Sequence, residues 1–334
     1  MYIPSSTGIA RRSLLSGAAS FGLLALSGCA SSSPAPGPQA EIGFIEIDRG
    51  IKLRRMVVRN PHAKGVVLFL HGFPETLHAW KDIALQLGRD YEVHAFDWPG
   101  YGLSSRPPVE QFAYAPSDYA GVLRQYIRAS GIDTSKLVIY ATDIGALPAL
   151  LAALNAPDIA RTIVVGDFAP FDRPQYMYPS LQSLKSKPSS EATLAYMNKT
   201  WQEILENAYR RGLPEAAQFE ISQELKDDMY QGWNREGMTS AGAFHHYYAS
   251  FTRDQNFLES HLAELRTPIR IVWGEKDLYI DIRMGRELAE RTHADLNVLS
   301  GLGHYPHLQK PEQTVREVRS LFADQARVRA DVPR

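Results

Sequence analysis

Cysteine is almost missing from this chain: 334 residues contain one, Cys29. No intrachain disulfide can form, and no cysteine metal cluster can assemble. Charge bias is missing as well. Lys plus Arg number 36 against 37 Asp plus Glu, a formal net charge of −1, which leaves no electrostatic footprint for nucleic acid. The apolar stretch near the N-terminus, Leu14 to Leu26, is broken by Ser and Gly and is too short for a comfortable membrane span of roughly 20 residues. What is present is ordinary globular composition, 44% hydrophobic and 22% charged. The length suits one large core, or one core plus an inserted subdomain. Nothing calls for a metal or a cofactor, and nothing specifies an oligomeric state.

The lone cysteine has an explanation. Arg11-Arg12 precedes the apolar stretch, and Leu26-Ser27-Gly28-Cys29 follows it. A basic pair, a short weakly apolar segment and small residues at its end describe a signal peptide of the twin-arginine type, residues 1–28. The last four residues resemble a bacterial lipobox, which implies lipidation of Cys29 and a protein held on the periplasmic face of a membrane. Each buried acyl CH₂ contributes about 0.8 kcal/mol, so such an anchor is firm. Residues 29–40, rich in Ser and Pro, read as a flexible tether.

From residue 41 the pattern alternates strand and helix. Ile42–Ile47 and Ile51–Val58 read as an edge hairpin about Asp48-Arg49-Gly50. Apolar runs of strand length follow at Val66–Leu70, Tyr91–Phe96, Leu137–Tyr140, Thr162–Val165, Ile269–Trp273 and Leu296–Leu299. Such runs suit a parallel sheet covered on both faces. Helical patterns fill the gaps, among them Ser117–Ala129, Ile144–Leu154, Gly285–Arg291 and Pro311–Phe322. The expectation is an α/β, doubly wound core over 41–169 and 263–325. Residues 170–262, rich in Tyr and Met with no clear strand, read as a helical cap over the C-terminal strand ends, where ligands bind in such sheets. Residues 326–334 read as a C-terminal tail.

Four motifs follow strands in a consistent order. His71-Gly72-Phe73-Pro74 comes after Val66–Leu70, where a Gly allows a tight turn and a free backbone N–H can face an oxyanion. Asp97-Trp98-Pro99-Gly100-Tyr101-Gly102 follows the next strand and reads as a structural turn. Ala141-Thr142-Asp143-Ile144-Gly145-Ala146 ends a strand and opens a helix with small flanking residues. That is the form of a nucleophile elbow, with Asp in place of Ser. Taken alone, Asp143 could equally be an N-cap. Gly301-Leu302-Gly303-His304 follows the last strand, where a hydrolase base sits, and Trp273-Gly274-Glu275-Lys276-Asp277 offers an acid before it. The order nucleophile, acid, histidine favours the catalytic reading, with Asp277 holding the tautomer of His304.

With these residues in hand, 42–325 resembles the α/β-hydrolase fold, and specifically its epoxide hydrolase and dehalogenase branch, whose members share an aspartate nucleophile and a helical cap. The chemistry accounts for the Asp. A carboxylate is ionised at neutral pH and attacks an sp³ carbon without a base. The resemblance implies an alkyl ester on Asp143, hydrolysed by water that His304 activates. Backbone N–H groups of Phe73 and Ile144 would hold the oxyanion. Asp167, at the end of the preceding strand, is the alternative acid.

Residues around the elbow separate the electrophiles. Haloalkane dehalogenases hold halide with a Trp after the nucleophile and often an Asn after the first His-Gly, where this chain has Ile144 and Phe73. Haloacetate dehalogenases grip a carboxylate with an Arg at the position of Ile144. Epoxide hydrolases use an HGxP loop, matched by His71 to Pro74, and cap hydroxyls that donate to the epoxide oxygen. Of the pair Tyr247-Tyr248 the motif position favours Tyr248. A second donor could be Tyr176, Tyr178, Tyr196 or His245. Thr142 stands where these enzymes usually carry His. The expected partners are therefore water and a small hydrophobic substrate, an epoxide or alternatively an organohalide. A lipid-anchored binding protein without turnover is the reading from a different class.

Overall fold

The computed structural model describes residues 37–330. The leader with Cys29, and residues 331–334, lie outside the described residues. Strands β1 (Ala40–Glu46) and β2 (Lys52–Val58) form an antiparallel hairpin. Strands β3 (Val66–Leu70), β4 (Glu92–Phe96), β5 (Leu137–Thr142) and β6 (Thr162–Gly166) follow. The cap then carries β7 (Asn234–Arg235) and β8 (Met238–Thr239), and the core resumes with β9 (Ile269–Gly274) and β10 (Leu296–Leu299). The main sheet has the order β1-β2-β4-β3-β5-β6-β9-β10, parallel from β4 to β10. This is the α/β-hydrolase arrangement.

Burial explains the continuous apolar runs. Val67 to Leu70 in β3 and Val138 to Ile139 in β5 are 0% exposed, because helices cover both sheet faces. Each such side chain contributes roughly 1.5–3 kcal/mol relative to an exposed position. The helices Pro116–Ala129 and Ala146–Asn155 pack on each other and on the sheet. The second is apolar on every side from Ala146 to Ala153, and those residues are all buried.

Beyond shifts of a few residues at helix ends, the structure departs from the sequence reading at the C-terminus and within the cap. The final helix runs Pro311–Ala330, into the stretch expected to be a tail. The residues beyond Phe322 lack an apolar stripe but are mostly good helix formers, so periodicity gave no sign of them. The cap, expected to have no strand, contains the β7–β8 hairpin. Its turn is Glu236-Gly237, both at positive φ, and Glu-Gly is a weaker hairpin signal than Asn-Gly.

The cap between β6 and β9 is otherwise helical, and a buried ion network seats it on the core. Arg54 of β2 donates both terminal nitrogens to Asp228 of the cap helix Gln223–Gly232, each at 2.6 Å. Its Nε donates to Asp97 at 2.6 Å, and Thr76 donates its hydroxyl to Asp228 at 2.6 Å.

Candidate active site

Chain geometry at the end of β5 is unusual. Asp143 has φ +49°, a left-handed conformation that costs a non-glycine residue on the order of 1–3 kcal/mol. The turn is tight enough that a Cβ on Gly145 would sit 3.0 Å from Leu70 Cβ and 3.2 Å from the His71 carbonyl. A Cβ on Gly72 would come within 2.7 Å of Asp143 Cβ. The small residues are therefore what allows Asp143 to stand up between two loops. Its carboxylate makes no cap hydrogen bond. Instead Oδ2 faces the Phe73 N–H at 3.4 Å and His304 Nε2 at 3.4 Å. Ile144 occupies the first turn of the helical segment that follows, where N–H groups lack intrahelical partners.

His304 is buried, and its Nδ1 is 2.8 Å from Oδ2 of Asp277. The other oxygen of Asp277 accepts the backbone N–H groups of Tyr279 and Ile280 at 2.8 and 3.0 Å. Tyr279 and Tyr305 pack edge-on against the imidazole, with ring centroids at 5.0 and 4.8 Å. Burial opposes a charge on His304, but the carboxylates of Asp277 and Asp143 outweigh it, so its pKa stands well above the usual histidine value.

Asp167 lies beside this group without bonding His304. Its Oδ1 accepts the Gly274 N–H at 2.8 Å, and its buried Oδ2 has no partner. Burial first, and the Asp277 charge second, push its pKa well above the ordinary carboxylate range. Asp167, Asp277 and His304 could each offer a ligand atom within 4.8 Å of the others. Their hydrogen bonds already engage a ring nitrogen, both Asp277 oxygens and one Asp167 oxygen, which leaves little lone-pair capacity for a cation.

Above Asp143 a largely apolar cavity of about 120 Å³ opens beneath the cap, lined by Ile144, Phe244, Tyr248, Tyr279 and His304 among others. Tyr247 and Tyr248 part here. Tyr247 donates its hydroxyl to the Ile144 carbonyl at 3.2 Å. Tyr248 lines the cavity, and among the described residues its hydroxyl has no hydrogen-bond partner. Of the other donors considered, Tyr196 lines the cavity but is 65% exposed. Tyr176 lies under Arg283, Tyr178 packs on Tyr279, and His245 has Lys187 and Glu191 as its charged neighbours. His71 is buried beneath the loop, its Nδ1 on the Gly72 carbonyl at 2.7 Å and its Nε2 accepting the Trp98 N–H at 3.2 Å. Burial lowers its pKa, which fits this neutral, bracing role.

A sequence profile described as the alpha/beta hydrolase family matches residues 67–317. The chain belongs to the alpha/beta hydrolase family. It is 24% identical over 289 residues to epoxide hydrolase 1 of Caenorhabditis elegans, covering 82% of this chain and 70% of that protein. Among solved structures, epoxide hydrolase CorEH superposes with a TM-score of 0.69 at 19% identity, covering 86% of this chain and 100% of that one. The haloalkane dehalogenase DbeA from Bradyrhizobium elkani gives a TM-score of 0.69 at 19% identity, covering 86% and 98%. At such identities the superpositions carry the fold alone. Together the relatives support a hydrolase of the epoxide hydrolase and dehalogenase branch.

Sequence reasoning missed two groups that brace this site. Tyr305 donates its hydroxyl to the Phe73 carbonyl at 2.7 Å, and Glu75 Oε1 meets His307 Nε2 at 2.6 Å, both across 232 residues of chain. The only local hint was their proximity to His71 and His304.

Proposed function

We propose that this protein hydrolyses a small hydrophobic epoxide to a diol through an alkyl ester on Asp143. The observation that carries the reading is the convergence on one carboxylate oxygen of the Phe73 N–H and the His304–Asp277 pair, beneath a cavity where Tyr248 has an unengaged hydroxyl. With Oδ2 of Asp143 held, Oδ1 is the oxygen available to attack a ring carbon. The carbon–oxygen bond of the epoxide breaks as the ester bond forms. Tyr248 donates a hydrogen bond to the developing alkoxide. Its pKa is raised well above the ordinary phenol by burial and by the Asp143 charge, so it acts as a phenol and not as a phenolate.

Esterification removes the negative charge from Asp143, and with it part of what keeps His304 protonated. The proton that His304 gives up balances the one gained by the alkoxide. Neutral His304 then takes a proton from water as that water attacks the ester carbonyl. The Phe73 and Ile144 N–H groups face the oxyanion, a type of interaction worth about 10²–10³ in rate per donor. Collapse returns the diol, the Asp143 carboxylate and a protonated His304. Export on a twin-arginine leader with lipidation at Cys29 belongs to the same proposal, on the sequence pattern of residues 1–29.

The absence of a side-chain donor for halide at Ile144 and Phe73 favours the epoxide over an organohalide. Intact mass spectrometry of a His304→Gln variant beginning at residue 40 tests this directly. Incubation with styrene oxide should leave an adduct of the full epoxide mass on the Asp143 peptide. An adduct formed only from a bromoalkane, lacking the halogen, would assign a dehalogenase instead. No adduct from either would return the binding-protein reading.

A further inference from the structure

Behind the site lies a second histidine–acid pair that the proposed chemistry does not use. Glu75 and His307 are 2% and 1% exposed, in contact at 2.6 Å. The His307 ring stacks on Trp80, with centroids 4.2 Å apart, and its Nδ1 is buried without a partner. A pair so enclosed is expensive to bury and is retained only where its geometry is well satisfied. Here the other Glu75 oxygen accepts the Gly72 N–H at 2.8 Å. Burial works against a charge on Glu75, but His307 and the Gly72 N–H outweigh it and hold its pKa below the ordinary value.

The position of that bond matters. The Gly72 carbonyl faces His71 Nδ1 at 2.7 Å and accepts the Glu75 N–H at 3.2 Å. Since a trans peptide is planar, fixing the Gly72 carbonyl fixes the Phe73 N–H in the opposite direction, which is toward Asp143. Glu75 thus holds this turn through its backbone and its side chain. His307 meanwhile sits three residues after His304, and Tyr305 between them donates to the Phe73 carbonyl. Two rungs, Tyr305–Phe73 and His307–Glu75, tie the oxyanion loop to the loop that carries His304.

We propose that Glu75 and His307 form a positioning pair that aims the Phe73 N–H at Asp143 and registers it against His304, and that they therefore control ester hydrolysis and not ester formation. The distinction follows from where charge develops. Ester formation spreads the Asp143 charge onto the leaving oxygen, on the cavity side. Ester formation needs the Phe73 N–H only to hold the resting carboxylate, at 3.4 Å, whereas ester hydrolysis builds a new oxyanion at that donor and so depends far more on its being in line.

The inference rests on the Asp143 ester reading, and the test keeps the two apart. Single-turnover reactions with styrene oxide are quenched and followed by mass spectrometry in the wild type, His304→Gln, His307→Gln, Glu75→Gln and Glu75→Ala. The expected result is ester formation within about 3-fold of wild type and ester hydrolysis slowed about 10- to 100-fold in His307→Gln and Glu75→Ala. The Asp143 ester should then become visible in the steady state. Glu75→Gln, which keeps an oxygen for the Gly72 N–H, should recover part of the loss. A merely structural role would lower both steps together, in proportion to the folded fraction seen by circular dichroism. That parallel loss, or no change in hydrolysis, overturns the pairing while an ester on His304→Gln leaves the underlying reading intact. No ester on His304→Gln overturns both.

Discussion

Replacing Asp228 by Asn tests whether the cap is held by charge. The substitution keeps shape and one acceptor, but leaves the Arg54 guanidinium, whose side chain is 4% exposed, with Asp97 as its remaining carboxylate. Removing one partner of a buried pair costs about 3–5 kcal/mol, because the other charge stays desolvated. Asp97 remains at 2.6 Å from Arg54 Nε, so the lower end, about 3 kcal/mol, applies. With a denaturant slope of about 3 kcal/mol per molar urea, the unfolding midpoint should fall by about 1 M. In a cycle of Arg54→Met and Asp228→Leu, Arg54→Met alone strands both Asp97 and Asp228, while the double variant strands Asp97 alone, so the double should lose less than the two single changes summed, with a coupling above about 1.5 kcal/mol. The pH dependence has a definite sign. Burial raises the Asp228 pKa, but the Arg54 and Thr76 bonds outweigh it and hold the value below its ordinary one. Its contribution is therefore present above the unfolded value of about 3.9 and is lost as pH falls through the lower folded value. Wild type and variant should converge in strong acid. A loss under about 0.5 kcal/mol at neutral pH, or strict additivity in the cycle, would refute the charge-latch reasoning.

Four further substitutions, in two pairs, bear on the site itself. Tyr248→Phe should slow formation of the Asp143 ester from styrene oxide by about 10²-fold, a typical value for one proton donor, while Tyr247→Phe, whose hydroxyl is spent on the Ile144 carbonyl, should change it by less than about 5-fold; equal effects in single-turnover assays would reject the assignment. Asp277→Asn should slow ester hydrolysis by about 10³- to 10⁴-fold by losing the tautomer and charge support of His304. Asp167→Asn, which keeps an acceptor for the Gly274 N–H, should stay within about 3-fold, and a collapse of turnover there would move the acid role to Asp167.

What could be read from the sequence, and what could not, divides by chain distance. The parallel core was legible because each strand is a local apolar run, and because the motifs follow strand ends where such sheets put their ligands. His71, Asp143, Asp277 and His304 could each be singled out from a few neighbouring residues. The two strand-end acids could not be ranked firmly that way, since both follow apolar strands. Only the fold reveals that Asp167 spends an oxygen on the Gly274 N–H while Asp277 meets His304. The tyrosine pair was ambiguous for another reason. Adjacent helical residues point about 100° apart, and the buried positions Ser240, Ala241, Ala243, Phe244, Tyr247 and Tyr248 form one broad face of the helix Ser240–Ala249, so the helical phase turns both tyrosines inward without ranking them. Least legible were the pairings across long separations, Arg54 with Asp228 and Glu75 with His307, for which neither partner carries a local signal. These pairings set the angles of the loops that motifs merely locate. In the proposed reaction a nucleophile, a base and an oxyanion donor drawn from three distant segments need alignment to a few tenths of an ångström. Buried polar contacts between those segments supply it, at positions where a sequence pattern shows only an unremarked Glu and a second His.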